Sequence, residues 1–222
     1  MKINEIYQHY QIMPNLQLHL LRVAGVAEQI CESLNDGFQL TPEEKNNVIF
    51  ASLLHDMGNI IKFDLTRFPQ FCEPAGSAFW LDVQNKYLAK YGKDEHEAAL
   101  QIARELKISS RIINLIDSVG FHQINDIVEK SDISPKICEY ADARVSPFGI
   151  VSLDERLQDL KERYHKKYPS PEDVKRRKHF KELAHQLEDQ VFAHSAIKPQ
   201  DITDATVNTR LQNLQKFEII TI

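Results

Sequence analysis

The sequence predicts an all-α protein folded as a helical bundle, and three observations indicate this class. Glycine is scarce, with 7 in 222 residues, while the helix-favouring residues Leu, Ile, Ala, Glu, Lys and Gln are abundant. Apolar residues recur at helical spacing, as in the series Leu16, Leu20, Val23, Ala27 and Ile30. Most segments also carry helix-capping residues at their ends, whereas we find no hairpin signal and no internal repeat.

Capping residues and terminating glycines divide the first 150 residues into a series of helices. The stretch Thr41-Pro42-Glu43-Glu44 combines an N-cap, a proline at the first helical position and a capping-box glutamate. Gly58 is the natural end of that helix, and Gly92 and Gly120 end later ones. Residues 59–76 form an aromatic-rich loop. The predicted helices cover residues 16–34, 42–57, 77–91, 95–106, 110–119 and 134–145.

The composition changes near residue 151 and becomes highly charged. We therefore expect a helical domain over residues 1–150, with residues 151–222 as a charged C-terminal helical extension packed on it. Ser170-Pro171 begins a long polar helix there, and the tail from residue 198 is a last helix or a strand-like segment. The basic run Lys175–Lys178 is balanced by nearby acidic residues, so we interpret it as a solvated helix face.

Charge and cysteine usage narrow the class of partners. The net charge is −5, so the overall charge does not indicate a protein that binds nucleic acid. No segment approaches the roughly 20 apolar residues of a membrane span. The N-terminus has no apolar run of signal length. Three scattered cysteines without a CxxC motif are typical of reduced thiols. We therefore expect a soluble cytoplasmic protein without a membrane or nucleic-acid partner.

The dipeptide His55-Asp56 lies where an apolar helix meets a glycine, at the edge of the predicted core. Buried polar groups must be paired or must coordinate a metal, so this position is costly for an isolated pair. His19 and Asp142 lie on other helices with mostly apolar neighbours. Taken alone, His19 would be a core or boundary histidine with one hydrogen bond, and the dipeptide is a weak signal.

Two further histidines stand at helix boundaries. His96 lies at the start of a helix and His122 just past the end of another. Each is, by itself, more often a cap or a surface residue. These residues are informative together, because they occur in the order His, His-Asp, His, His, Asp on successive helices. The remaining five histidines lie in polar surroundings typical of surface residues.

This order resembles the HD superfamily of metal-dependent phosphohydrolases, which places a histidine on an early helix, then a His-Asp dipeptide, then a distant aspartate. His19, His55, Asp56 and Asp142 match that pattern, and His55-Asp56-Met57-Gly58 resembles the common His-Asp-Ile-Gly motif. The resemblance covers about residues 15 to 150. Many members carry lysine directly after this glycine, whereas this chain has Asn59, with Lys62 three residues later.

The resemblance implies a single HD-type helical bundle with one or two divalent ions. The first ion would be held by His19, His55, Asp56 and Asp142. Asp56 would bridge to a second ion completed by His96 and His122, as in the two-metal subgroup. Imidazole and carboxylate ligands without thiolate suit Mn, Fe, Co, Ni, Zn or Mg.

The implied activity is that of a phosphomonoesterase or phosphodiesterase acting on a nucleotide or another small phosphate ester, with a metal-bound hydroxide attacking phosphorus. Asp56, Arg22 and Lys62 are the candidate catalytic residues. Arg22, Lys62 and Arg144 are the candidate contacts to substrate phosphate.

Two flanking features remain open at this point. Glu97 would either orient a ligand histidine or be a solvated glutamate in a first helical turn. The aromatic loop, with Trp80 after it, would be either a lid that stacks a nucleobase or a hydrophobic plug over the core.

Two alternatives to hydrolysis also stay open. An HD-fold di-iron oxygenase could use the same ligands, and a non-catalytic regulatory module could keep the fold alone. The complete ligand set argues against the regulatory module, since a degenerate site should have lost members.

Overall fold

Helices form nearly all of the regular structure in the computed structural model, which describes residues 1–120, 123–163 and 170–219. The predicted all-α class is confirmed. The helices are α1 (Ile3–His9), α2 (Pro14–Ser33), α3 (Pro42–Leu54), α4 (Ser77–Tyr91), α5 (Glu95–Glu105), α6 (Ser110–Ser118), α7 (Ile124–Glu129), α8 (Ile133–Ala143), α9 (Leu153–Arg163), α10 (Pro171–Phe192), α11 (Asp204–Asn208) and α12 (Leu211–Leu214). No helix among the described residues is long and apolar enough to cross a membrane.

The predicted N-caps form the hydrogen bonds that a helix start requires. The side chains of Thr41, Asp94, Ser109 and Ser170 each accept a hydrogen bond from a backbone N–H in the first turn of the following helix. These bonds satisfy donors that have no partner within the helix. The starts of α3, α5, α6 and α10 are therefore fixed by local sequence.

The end of α3 differs from the prediction. The helix ends at Leu54, before the His-Asp dipeptide, and a 3₁₀ turn over Asn59–Lys62 follows. Gly58 is needed for close packing, because a Cβ there would lie 2.1 Å from the backbone carbonyl oxygen of Glu95. Gly58 therefore lets α5 approach this turn directly.

The structure contains a short hairpin for which we find no signal in the sequence. Strands β1 (Val145–Ser146) and β2 (Gly149–Ile150) pair antiparallel after α8. The Ser146 hydroxyl accepts hydrogen bonds from the N–H groups of Phe148 and Gly149 and so closes the turn. Two-residue strands are too short to show the alternation by which a strand is recognised in a sequence.

The core that positions the site consists of α2, α3 and α8, which pack against one another, with α6 against α3 and α8. The C-terminal residues cover this core from two sides. Helix α10 packs on α7 and α8, while α11 and α12 pack on α2. The chain ends meet as well, since Ile3 N–H donates to the Phe217 carbonyl oxygen at 3.0 Å. The division at residue 150 stays a prediction.

Candidate metal centre

Four side chains from three helices meet at one end of the core. His19 lies on α2, His55 caps the C-terminus of α3, Asp56 follows in the turn, and Asp142 lies in the last turn of α8. One ligand atom from each residue lies within 4.8 Å of the others. The mutual packing of α2, α3 and α8 thus brings together residues that are up to 123 positions apart in the sequence, counted from 19 to 142.

The separations between these atoms suit one bound cation. His19 Nε2 lies 3.2 Å from Asp142 Oδ1 and 3.5 Å from Asp56 Oδ2, and His55 Nε2 lies 3.5 Å and 3.7 Å from the same two oxygens. Ligands about 2.1 Å from a central ion lie roughly 3.0 Å apart in an octahedron and roughly 3.4 Å apart in a tetrahedron. The four residues therefore fit a divalent ion.

Among the described residues, the Nε2 atoms of the two histidines also lack a hydrogen-bond partner. The Nε2 atoms of His19 and His55 are buried, and neither makes a hydrogen bond of acceptable geometry despite the nearby carboxylates. An unsatisfied buried polar atom is costly in a folded protein. A cation between imidazole and carboxylate would satisfy both nitrogens at once.

A backbone contact sets the tautomer of His55. Its Nδ1 lies 2.9 Å from the Ser52 carbonyl oxygen, and because a carbonyl oxygen can only accept, Nδ1 carries the proton. The lone pair is then on Nε2, which faces the two carboxylates. This arrangement is the usual way in which a protein orients a ligand histidine.

The charges around the site favour ionised carboxylates. Burial acts to raise the pKa of Asp142, but His19 and His55 outweigh it and hold that pKa well below its usual value. Burial acts to lower the pKa of His55, but Asp56 and Asp142 raise it to about 9. The carboxylates therefore attract positive charge into a half-buried site. A bound metal ion would supply that charge and leave the imidazoles neutral.

Asn59 contacts the cluster directly. Its side-chain amide donates a hydrogen bond to Asp56 Oδ2, the oxygen that also faces both histidines. Asn59 is buried and lines the same cavity as His19, Asp56 and Asp142. In this chain the residue after the motif glycine thus hydrogen-bonds to a carboxylate of the cluster.

The structure does not bring His96 into the four-residue cluster. His96 lines the same cavity, and its Nε2 lies 3.2 Å from Asp117 Oδ1 on α6. His122, the other residue predicted to hold a second ion, lies outside the described residues. Glu97 forms an ion pair with Arg104 on its own helix at 2.8 Å, so the carboxylate beside His96 is Asp117, which the sequence pattern did not single out.

Of the three candidate phosphate contacts, only Lys62 lines the cavity. Lys62 Nζ lies 3.1 Å from Glu95 Oε1 there. Arg22 lies near Asp204, with 3.9 Å between its Nε and the carboxylate. The positions of Arg22 and Arg144 therefore do not support the predicted contacts with substrate phosphate.

Arg144 instead joins the core to the C-terminal residues. Its buried guanidinium donates to the carbonyl oxygens of Val151, Pro199 and Ile202. Arg144 is the C-cap of α8, two residues after Asp142, and it ties that helix end to two later segments.

A cavity of about 710 Å³ opens above the cluster. Part of its wall is the aromatic loop, through Phe63, Phe68 and Phe71. Trp80 is buried, and its indole N–H donates to the carbonyl oxygen of Cys72 in this loop at 3.1 Å. The loop is thus anchored at Trp80 and presents its phenylalanines to the cavity.

Helix α9 supplies another part of the cavity wall through Arg156, Leu160 and Arg163. The sequence predicts only a charged extension for this segment. Its spacing nevertheless indicates a role for the two arginines, because Arg156 and Arg163 share the helical face of Leu153 and Leu160. Arginines on the apolar face of a helix point to a buried or ligand-binding role.

Glu139 is another residue that the sequence pattern missed. It is fully buried on α8, and its Oε2 accepts a hydrogen bond of 2.6 Å from the Gly120 N–H. Burial, followed by the charge of Asp142, raises the pKa of Glu139 to about 8. Its carboxyl group fixes the end of α6 beside the cluster.

The fold and the site define a helical domain with a cluster of histidine and aspartate that could hold a metal ion. A family model for the HD domain matches residues 17–146, more than half of the chain. The chain belongs to the HD domain family, a superfamily of metal-dependent hydrolases that bind divalent ions. Searches of curated proteins and of solved structures returned no match.

Proposed function

We propose that this protein is a divalent-metal-dependent phosphohydrolase acting on a nucleotide or another small phosphate ester. The observation that carries the proposal is the convergence of His19, His55, Asp56 and Asp142 at the floor of a cavity large enough for such a molecule. Ligand-binding cavities usually measure about 300–1,000 Å³. The HD domain match makes hydrolysis the expected reaction class.

Each side chain then has a defined task. His19, His55, Asp56 and Asp142 would hold the ion, and Asn59 would orient Asp56. When bound, a divalent ion polarises phosphoryl oxygens and lowers the pKa of a water molecule toward neutrality. Lys62 in the wall would neutralise substrate charge, since positioning and charge neutralisation dominate phosphoryl transfer.

The remaining wall suits a nucleotide. Phe63, Phe68 and Phe71 offer aromatic faces to the cavity, and nucleobases stack on such faces. All three cysteines are buried free thiols, which supports the predicted cytoplasmic setting. A second ion on Asp56, His96 and His122 stays a prediction. Among the described residues, no observation favours the oxygenase alternative.

A metal-supplemented hydrolysis screen tests the proposal. The chelated protein would be supplied with each candidate ion and assayed against nucleoside mono-, di- and triphosphates, cyclic nucleotides and aryl phosphates. We expect hydrolysis that depends on the ion and is lost in Asp56→Asn. Asp154→Asn is the control, because Asp154 is an exposed partner of Lys181 and His185 away from the cavity. Hydrolysis that survives chelation, or an active Asp56→Asn protein, would refute the proposal.

A further inference from the structure

Helix α9 places two arginines in the wall of the cavity, outside the residues that match the HD domain. The Arg156 side chain is 10% exposed and the Arg163 side chain 20%. Both guanidinium groups are therefore largely withdrawn from water. Burying a cation is costly unless an anion or hydrogen-bond acceptors compensate for it.

The two arginines share one carboxylate. Arg156 Nη1 donates to Asp159 Oδ2 at 2.9 Å, and Arg163 Nη2 donates to the same oxygen. The Nε atoms of both arginines are buried and have no hydrogen-bond partner among the described residues. Among the described residues, two guanidinium groups thus hydrogen-bond to one carboxylate, and two N–H donors are unused.

Among the described residues, the other carboxylates of the wall do not supply the missing anion. Glu95 forms an ion pair with Lys62 at 3.1 Å, and Asp64 accepts hydrogen bonds from the N–H and the hydroxyl of Thr66. Asp56 and Asp142 belong to the four-residue cluster. A guanidinium group matches the geometry of a phosphate and binds it through paired hydrogen bonds. A phosphate bound at α9 would balance the charge and satisfy the free donors.

We propose that Arg156 and Arg163 form an anion subsite that binds a second phosphate group of the substrate. The substrate class would then be esters with two or more phosphate groups, of which one lies at the metal cluster and another at α9. A nucleoside di- or triphosphate has this chemistry. The proposal rests on the proposed phosphohydrolase function for its substrate, but anion binding by α9 is measurable without turnover.

Calorimetric titration of the full-length, metal-free chain with pyrophosphate tests the subsite. Arg163→Gln should weaken pyrophosphate binding roughly tenfold or more, because it removes a charged hydrogen-bonding group. Asp159→Asn should tighten binding, since it removes the competing carboxylate. These opposite effects separate anion binding from a general loss of structure. Arg163 is chosen because it is the less buried arginine of the pair.

Arg176→Gln is the matched control. Arg176 lies on α10 in a comparable ion pair with Asp173, three residues before it, and does not line the cavity. Its substitution should leave pyrophosphate binding unchanged. Wild-type protein that does not bind pyrophosphate, or Arg163→Gln protein that binds it as tightly, would overturn the subsite.

A kinetic comparison extends the test to the substrate class. In the metal-loaded enzyme, Arg163→Gln should raise KM for a nucleoside diphosphate and leave KM for the monophosphate nearly unchanged. An equal effect on both substrates would overturn the assignment of a second phosphate to α9. If the wild type hydrolyses no phosphate ester, the proposed function fails, and the titration alone decides whether the anion subsite exists.

Discussion

At the scale of single residues, the chemistry depends on how a few polar side chains are held. His55 keeps its Nε2 lone pair available because Nδ1 donates to Ser52, and Asn59 restrains the carboxylate of Asp56. Both contacts hold members of the cluster, and Asn59 also lines the cavity. Removing such a bond should weaken metal binding without removing a proposed ligand.

Asn59→Ala tests this orientation. Loss of the amide that donates to Asp56 should lower the affinity for a divalent ion by about tenfold, as is usual when the partner of a metal ligand is removed. The measurement is a metal titration in which binding is detected by calorimetry or by competition with a chelator. Asn47→Ala is the control, because Asn47 makes an equivalent bond to Glu44 three residues earlier on α3. Equal metal affinity in Asn59→Ala and wild type would contradict this role.

Glu139 predicts a pH dependence of stability in the metal-free protein. Burial raises its pKa from 4.5 to about 8, so the folded state retains a proton that the unfolded state has released. The free energy of unfolding should therefore fall as pH rises between pH 4.5 and about pH 8, by up to about 1.4 kcal/mol per pH unit. Urea unfolding across this range should show that the free energy of unfolding of Glu139→Gln, which lacks this titrating group, rises relative to that of wild type as pH rises.

Other buried groups contribute similarly to both proteins, so the difference between them isolates Glu139. Glu97→Gln is the control, since Glu97 is an exposed partner of Arg104. A constant difference between Glu139→Gln and wild type at every pH would show that the carboxyl group does not titrate as described.

At the scale of elements, the turn after α3 depends both on its local sequence and on its packing against α5. The helix stops at Leu54, and the following turn is held against α5 because Gly58 has no side chain. This contact places Asp56 opposite Asp142 and puts Lys62 next to Glu95. A glycine that looks like a helix terminator in the sequence is required here for close approach.

Gly58→Ala should therefore be strongly destabilising. Its Cβ would collide with backbone atoms of α5, which cannot move aside as a flexible side chain can. We expect a loss of about 3 kcal/mol, at the upper end of overpacking effects. Gly37→Ala is the control, because Gly37 has positive φ but no atom near its Cβ position, and it should cost only about 1 kcal/mol. Thermal unfolding that ranks the two variants equally would contradict the packing argument.

At the scale of the whole molecule, the C-terminal residues are tied into residues 1–150. Phe217 packs edge-on against Phe50 of α3 at 4.9 Å, and the backbones of Lys2 and Glu218 form an isolated antiparallel β-bridge. Arg144 donates to carbonyl groups on both sides of α10. Helix α9 completes the cavity wall above the cluster. Residues 1–150 and 151–219 should therefore unfold together.

Phe217→Ala tests this coupling. We expect a single unfolding transition shifted by about 2 kcal/mol, because the partly buried ring packs against the core of the first domain. Phe148→Ala is the control, as Phe148 is 69% exposed, and it should shift stability far less. Two separate transitions, with only one affected by Phe217→Ala, would indicate independent units.

Local sequence determined most of the helices and the four ligands. Caps at Thr41, Asp94, Ser109 and Ser170 mark helix starts because they act within one turn, and the histidine and aspartate order is readable from the sequence. The contacts of Arg22 and Arg144, and the place of α9 in the cavity wall, depend on residues far away in sequence. Those features follow only from tertiary packing.

The central claim is that His19, His55, Asp56 and Asp142 bind a divalent ion, and elemental analysis of His19→Gln tests it most directly. His185→Gln is the matched control, because the Nε2 atoms of His185 and His19 each lie 3.2 Å from an aspartate oxygen, yet His185 is away from the cluster. After metal loading and dialysis, wild type and His185→Gln should each retain at least one ion per chain. Folded His19→Gln, verified by circular dichroism, should retain far less. Equal metal content in all three proteins, or none in wild type, would contradict the claim.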